Sequence, residues 1–224
     1  MGEKQSLIAL IKHIFIDIIS QKKKSFLMIY LSMLVIDKVN YMIFNFFAIG
    51  ISYFIVSVIC NIVLVYFYLS VDDYLPLDTI KKAITESFFD AFKVAIVNLL
   101  ILSIFLLPIV RGFYSAESEL LNSSIGLNYI LIILLIIGGI FIISATSLSI
   151  IYSIVEHRGI RMSFKNGINT TKHHFKLIFN LMIVFILLAI PSSSEMLIMG
   201  FLSIALQLSF ISIVINSIKV GNAK

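Results

Sequence analysis

Charged side chains are scarce in this chain: 13% of its 224 residues, against 60% hydrophobic ones and a mean hydropathy of +1.07. A soluble domain carries about a quarter of its residues as charges, so the polar surface needed to cover a water-soluble globule is missing. The only cysteine, Cys60, lies in an apolar run, which excludes a disulfide framework and a Cys-rich metal site. It reads as a small core or lipid-facing residue. No Gly-rich loop ends in Lys-Ser/Thr, which excludes ATP hydrolysis by a P-loop. No acid falls at the middle of an apolar run, which argues against the proton relay of a pump. No small-residue cleavage pattern follows the opening segment, so a cleaved leader is not expected. Tryptophan is absent and fourteen lysines stand against three arginines, which reads as an AT-rich coding bias without functional content.

What the chain has in abundance is hydrocarbon. A helical crossing of a bilayer takes about 20 mainly apolar residues, and runs 47–69, 88–110, 127–151 and 196–218 have that length. Two others are shorter. Segment 25–40 must continue past Asp37 and Lys38, and segment 175–190 requires Lys176 to snorkel to the headgroups. The sequence therefore predicts an all-α polytopic membrane protein, a single membrane domain over 1–224 with six transmembrane helices.

Charge placement predicts its orientation. Segments 1–24, 70–87, 152–176 and 219–224 hold fourteen of the seventeen Lys and Arg, and the segments on the other side hold only Lys38 and Arg111. Lys93 lies at the start of the third span. By the positive-inside rule both termini are cytoplasmic, and an even number of spans agrees. For a bacterial chain this means the inner membrane.

Two cytoplasmic segments are also amphipathic. In 5–21, Leu7, Leu10, Ile11, Ile14, Phe15, Ile18 and Ile19 fall on one helical stripe, so residues 1–24 are expected to hold an interfacial helix on the cytoplasmic face. After Pro76, Asp78 is a candidate N-cap, and Ile80, Ala83, Ile84, Ser87, Phe88, Ala91 and Phe92 continue a stripe into the third span. A shift of 83 residues aligns 82–108 with 165–191, pairing Lys82 with Lys165, Phe92-Lys93 with Phe175-Lys176, and Pro108 with Pro191. Each copy reads span, cytoplasmic elbow helix, span, the pattern of a parallel repeat of helix hairpins.

Candidates for chemistry are few. His157, His173 and His174 lack nearby cysteines and acids, and adjacent helical histidines point about 100° apart, so they read as solvated interfacial groups. Ser192, Ser193, Ser194 and Glu195 read as an outside turn after Pro191. Asp90 and Lys93 have the spacing of a helical ion pair. Asn61, Asn98, Asn180 and Gln207 are polar groups within spans, expected either to bond between helices or to line a polar track. Gly138, Gly139 and run 144–149 suit close helix packing. Lys82, Lys93, Arg158, Arg161, Lys165 and Lys176 are expected to ring the cytoplasmic headgroup level, where each cation gains about 1 kcal/mol beside anionic lipid. No enzyme activity, cofactor, metal or nucleic-acid partner is read from these residues.

The run "LSIIYSIVEHRGIRMSFKNGINTTKHHFKLI" (148–178) passes from a span through Glu156 and Gly159 into a basic amphipathic helix. With "DTIKKAITESFFDAFKVAIVNLL" (78–100) and "IKHIFIDIISQKKKSFLMIY" (11–30) in corresponding places, the layout resembles the YciC-type bacterial inner-membrane proteins. These are akin to the membrane domain of some glycerophosphodiester phosphodiesterases. The short first outside loop, 37–45, departs from members that carry a long one. The resemblance implies a six-span protein tied to envelope or lipid homeostasis, with membrane lipids as partners and no catalytic residues. The alternative expectation is a small permease component, or a lipid or solute carrier.

Overall fold

The computed structural model describes the backbone of residues 6–43, 46–70, 76–119, 125–157, 159–189 and 196–222. Side chains are described over 6–35, 54–70, 76–104, 137–157, 159–188, 198 and 200–220. Among the described residues every regular element is helical. Arg158, residues 192–195 and the side chains of 37–45, Glu117 and Glu119 lie outside them.

Ser6 opens the fold as an N-cap, its Oγ accepting from the Ala9 amide at 3.1 Å and starting α1, Leu7–Lys12. A π-helical segment, His13–Ile19, follows directly, and Ser20 N–H donates to the Phe15 carbonyl at 3.0 Å. The wider turn of a π-helix brings Leu10, Ile14 and Ile18, spaced by four, onto one buried face. That face joins the protein's own core, with Leu7 and Ile19 packed at its margin. The expected interfacial helix is thus docked on the bundle by most of its apolar stripe, and Ile8, Phe15 and Ile16 are the large apolar residues it leaves exposed.

Two hairpin helices, α2 (Lys23–Ile43) and α3 (Phe46–Leu69), precede α4, Leu77–Glu119, a single helix of 43 residues. At 1.5 Å per residue α4 is about 65 Å long, so the elbow and the third span are one rod. Next come α5 (Ile125–Glu156), α6 (Ile160–His173), α7 (Phe175–Ala189) and α8 (Met196–Asn222). Three stretches are long and apolar enough to cross a membrane: Leu77–Ile104, Ile137–Glu156 and Gly200–Val220. A fourth is available if α6 and α7, bent by 85° at His174, count as one span.

That bend separates the two stretches aligned by the 83-residue shift. The counterpart of His174 is Ala91, a strong helix former buried inside an unbroken α4. His174 has φ −108° and ψ 17°, and it follows Asn169, Thr170 and Thr171, whose side chains compete with helical backbone bonds. The paired elbows therefore differ in shape.

The core runs through the middle of the bundle, where Ile62, Val65, Leu148, Ile151, Ile178, Leu208, Ile211 and Val214 are buried. Phe201, early in α8, packs its ring on Phe15, Phe26 and Tyr30 at centroid distances of 5.8, 5.7 and 6.5 Å. The first turns of α2 and α8 are therefore neighbours. A ladder of six upright, alternating crossings would part them by most of a hydrocarbon core about 30 Å thick, so this contact does not support the expected six-span ladder.

Candidate functional site

The most closely packed junction is between α5 and α6. The chain reverses after Glu156 through His157, whose φ of 48° is left-handed, a conformation open to His at modest cost. Gly159 then starts α6, its carbonyl accepting from the Met162 and Ser163 amides. The two helices run antiparallel. Tyr152 and Thr170 share a 2.7 Å hydroxyl–hydroxyl bond, and Asn166 Nδ2 donates to Glu156 Oε2 at 3.0 Å. Between them Gly167 meets Ala145 and Ser149 so closely that a Cβ there would lie 2.6 Å from the Ala145 carbonyl oxygen and closer still to Ser149 Oγ. Small residues allow this approach, and within 144–149 it is Ala145 and Ser149 that use it.

The face that α6 buries is Ser163, Gly167, Thr170 and Thr171, whereas Ile160, Met162 and Ile168 are exposed. Arg161, Lys165 and Lys172 share the exposed side. Polarity is thus inverted relative to a helix lying on a soluble core.

Of the remaining predicted cations, Lys82, Lys93 and Lys176 are exposed and scattered. Lys82 reaches Glu86 at 3.9 Å, and Lys93 pairs with Asp90 at 3.6 Å, both on solvated surface. Eleven residues of continuous helix, about 16 Å, separate Lys82 from Lys93, about two to three times the depth of one headgroup layer. Lys176 lies beyond the 85° bend. An upright α4 would hold Lys82 and Lys93 at different depths.

The intramembrane amides also part company. Asn61 donates to the Ser57 carbonyl of its own helix at 2.8 Å, and Asn180 is exposed on α7. Asn98 bonds between helices, Nδ2 donating to the Thr146 carbonyl at 2.8 Å. Asn98 is 4% exposed, and its Oδ1, like Gln207 Oε1, is buried without a hydrogen-bond partner. An unpaired buried amide oxygen costs about 1–3 kcal/mol. Asn98 and Thr146 line a cleft of about 180 Å³ between α3, α4 and α5, with Phe54, Val58, Ala95, Leu99, Leu102 and Ile150 among its walls. Asn61 and Asn180 do not line it.

Two further groups carry a role that sequence alone left inside general categories. Lys22, one of three consecutive lysines, is 6% exposed, and its Nζ donates to the carbonyls of Phe67 (2.7 Å), Tyr68 (3.2 Å) and Ser70 at the end of α3. The ammonium thus satisfies carbonyls left open by the helix terminus, and burial pushes its pKa below the usual lysine value. His13 links Asp17 through Nδ1 at 2.8 Å and the Tyr68 hydroxyl through Nε2 at 3.1 Å, fastening the π-segment to α3. Elsewhere, His173 Nδ1 meets the Asn169 carbonyl at 2.8 Å and His174 Nε2 lies 3.4 Å from Ser217 Oγ. Among the described residues no three His, Cys, Asp or Glu side chains converge as metal ligands.

No family model, curated protein or solved structure matches the chain.

Proposed function

We propose that this chain is a non-catalytic, multi-pass protein of the bacterial inner membrane, acting through contacts with anionic phospholipid in envelope or lipid homeostasis. The observation that carries this reading is the inverted α6. Its hydroxyl and glycine face is spent on α5, and Arg161, Lys165 and Lys172 stand outward beside Met162 and Ile168. Such a surface suits the headgroup boundary, where aliphatic groups enter the acyl region and cations meet phosphate. Membership in the YciC-type family belongs to the same proposal and rests on the layout of 11–30, 78–100 and 148–178.

Both termini are assigned to the cytoplasm on the charge bias. Four crossings, from α4, α5, the bent α6–α7 pair and α8, satisfy this. In a Cys60→Ser background, cysteines replacing Glu117 and Glu119 should react with an impermeant thiol reagent on intact cells, and one replacing His173 only after permeabilisation. The reverse pattern overturns the orientation.

Lipid selectivity is tested by mass spectrometry of lipids retained on the gently purified protein. Anionic phospholipid should be enriched over the bulk membrane. Changing Lys82, Lys93, Arg158, Arg161, Lys165 and Lys176 to Gln should remove the enrichment while the protein stays folded. Unchanged lipid content in that variant contradicts the proposal. A carrier role is the second reading, supported only by the cleft at Asn98.

A further inference from the structure

The cations of α4 and α6 have different neighbours. On α4, Lys82 lies 3.9 Å from Glu86 and Lys93 lies 3.6 Å from Asp90, so each stands beside a carboxylate of its own helix. On α6, Arg161, Lys165 and Lys172 are exposed, and among the described residues none of them has an ion-pair partner. The sequence offers none nearby. No Asp or Glu occurs between Glu156 and Glu195, and Glu156 already accepts from Asn166 at 3.0 Å. At about 100° per residue the three cations fall within an arc of about 40°, roughly opposite the face that Ser163, Gly167, Thr170 and Thr171 bury. Along the axis Lys165 is about 6 Å beyond Arg161, and Lys172 about 10 Å beyond Lys165. Arg161 and Lys165 form a like-charged i,i+4 pair, which costs helix stability, and an anion bound between them removes that cost.

We infer that α6 binds a lipid whose single headgroup carries two phosphates, one held between Arg161 and Lys165 and the other by Lys172. Phosphate oxygens accept strong charge-assisted hydrogen bonds from Arg and Lys, and the first two cations are one helical turn apart, close enough to share one phosphate. Lys172 lies two turns further on, which suits a second phosphate strung along the helix. Carrying both phosphates in one molecule makes the second contact intramolecular, with an effective concentration that a separate lipid lacks. Ile160, Met162 and Ile168, all exposed, border the row. They give acyl carbons an apolar contact that a soluble polyphosphate has no use for. This site rests on the α6 reading proposed above and narrows it: there any anionic phospholipid suffices, and here the number of phosphates in one headgroup sets the affinity.

The test titrates the full chain in neutral detergent with diphosphatidylglycerol, phosphatidylglycerol and inorganic pyrophosphate, and reads each affinity by native mass spectrometry. Compared at equal phosphate, diphosphatidylglycerol should bind about fivefold more tightly than phosphatidylglycerol, the gain from one further cation at a lipid surface. Pyrophosphate should bind more weakly than either lipid. Lys172→Gln should erase the preference for the two-phosphate lipid, and Arg161→Gln with Lys165→Gln should weaken both lipids. Lys12→Gln, Lys23→Gln and Lys24→Gln together remove three exposed cations elsewhere and should keep the preference. Equal affinity for the two lipids overturns the two-phosphate site while leaving the anionic-lipid reading intact. Loss of the preference in the Lys12, Lys23 and Lys24 variant, to the same extent as in Lys172→Gln, assigns it to net charge and overturns the site. Pyrophosphate binding as tightly as diphosphatidylglycerol overturns the lipid as ligand. Binding of neither lipid overturns the site and the anionic-lipid reading together.

Discussion

The α5–α6 hairpin and the described part of α4, up to Ile104, are built from similar apolar stock and end in opposite environments. Of the apolar window in α5, 56% is buried within the protein, and in α4 only 28%. The hairpin turns small and hydroxyl-bearing groups inward, Ser149, Ser153, Ser163, Gly167 and Thr171 all being sealed between helices. On α4, beyond Lys93, Leu99, Leu100 and Ile104 are 52%, 58% and 72% exposed, and no charge interrupts the chain until Arg111. Close approach and hydrogen bonds hold one region. The other presents side chains that only hydrocarbon solvates well. When lipid is the solvent, hydrophobicity does not distinguish inside from outside, and residue size and hydrogen bonding do.

Substitutions can break that contrast, and thermal unfolding in nanodiscs followed by helical circular dichroism reads each of them. The largest effect is expected at Gly167. A Gly167→Leu side chain has to push α6 off Ala145 and Ser149, taking the Tyr152–Thr170 and Asn166–Glu156 bonds with it, for a loss of about 2–3 kcal/mol. Lys22→Gln comes next. It withdraws a buried ammonium from the α3 terminus and should cost about 2 kcal/mol, with the π-segment loosening alongside. Tyr152→Phe deletes a single hydroxyl from the hairpin seam and leaves the shape intact, so about 1 kcal/mol is expected. Ile104→Ala, on the outward face of α4, should change stability by less than about 0.5 kcal/mol. If Ile104→Ala matched Gly167→Leu, the two regions would not differ in the way described.

Much of the helical layout was legible because apolar run length and charge position are local properties of a sequence. Helices cover each expected span, and Asp90 and Lys93 pair as their spacing implies. The burial direction of α6 was not legible: its pattern shows two faces but not which of them meets α5, and in lipid either can. The 85° break at His174 has no proline to announce it. Lys22 could not be told from Lys23 and Lys24, because its distinction lies in the carbonyls of Phe67 and Tyr68, forty-five and forty-six residues further along. Asn98 stood among four similar amides until the position of Thr146 singled it out.

The central claim is that α4 passes from an aqueous or headgroup surface at Lys82 into hydrocarbon at Ile104. A chain without tryptophan provides a clean background for testing it. Single-tryptophan variants Lys82→Trp and Ile104→Trp would be placed in bilayers, and their fluorescence quenched by aqueous iodide or by lipids brominated along the acyl chain. The account predicts iodide quenching at 82, and blue-shifted emission quenched only by brominated lipid at 104. Iodide quenching at both positions, with no response to brominated lipid at 104, would contradict it.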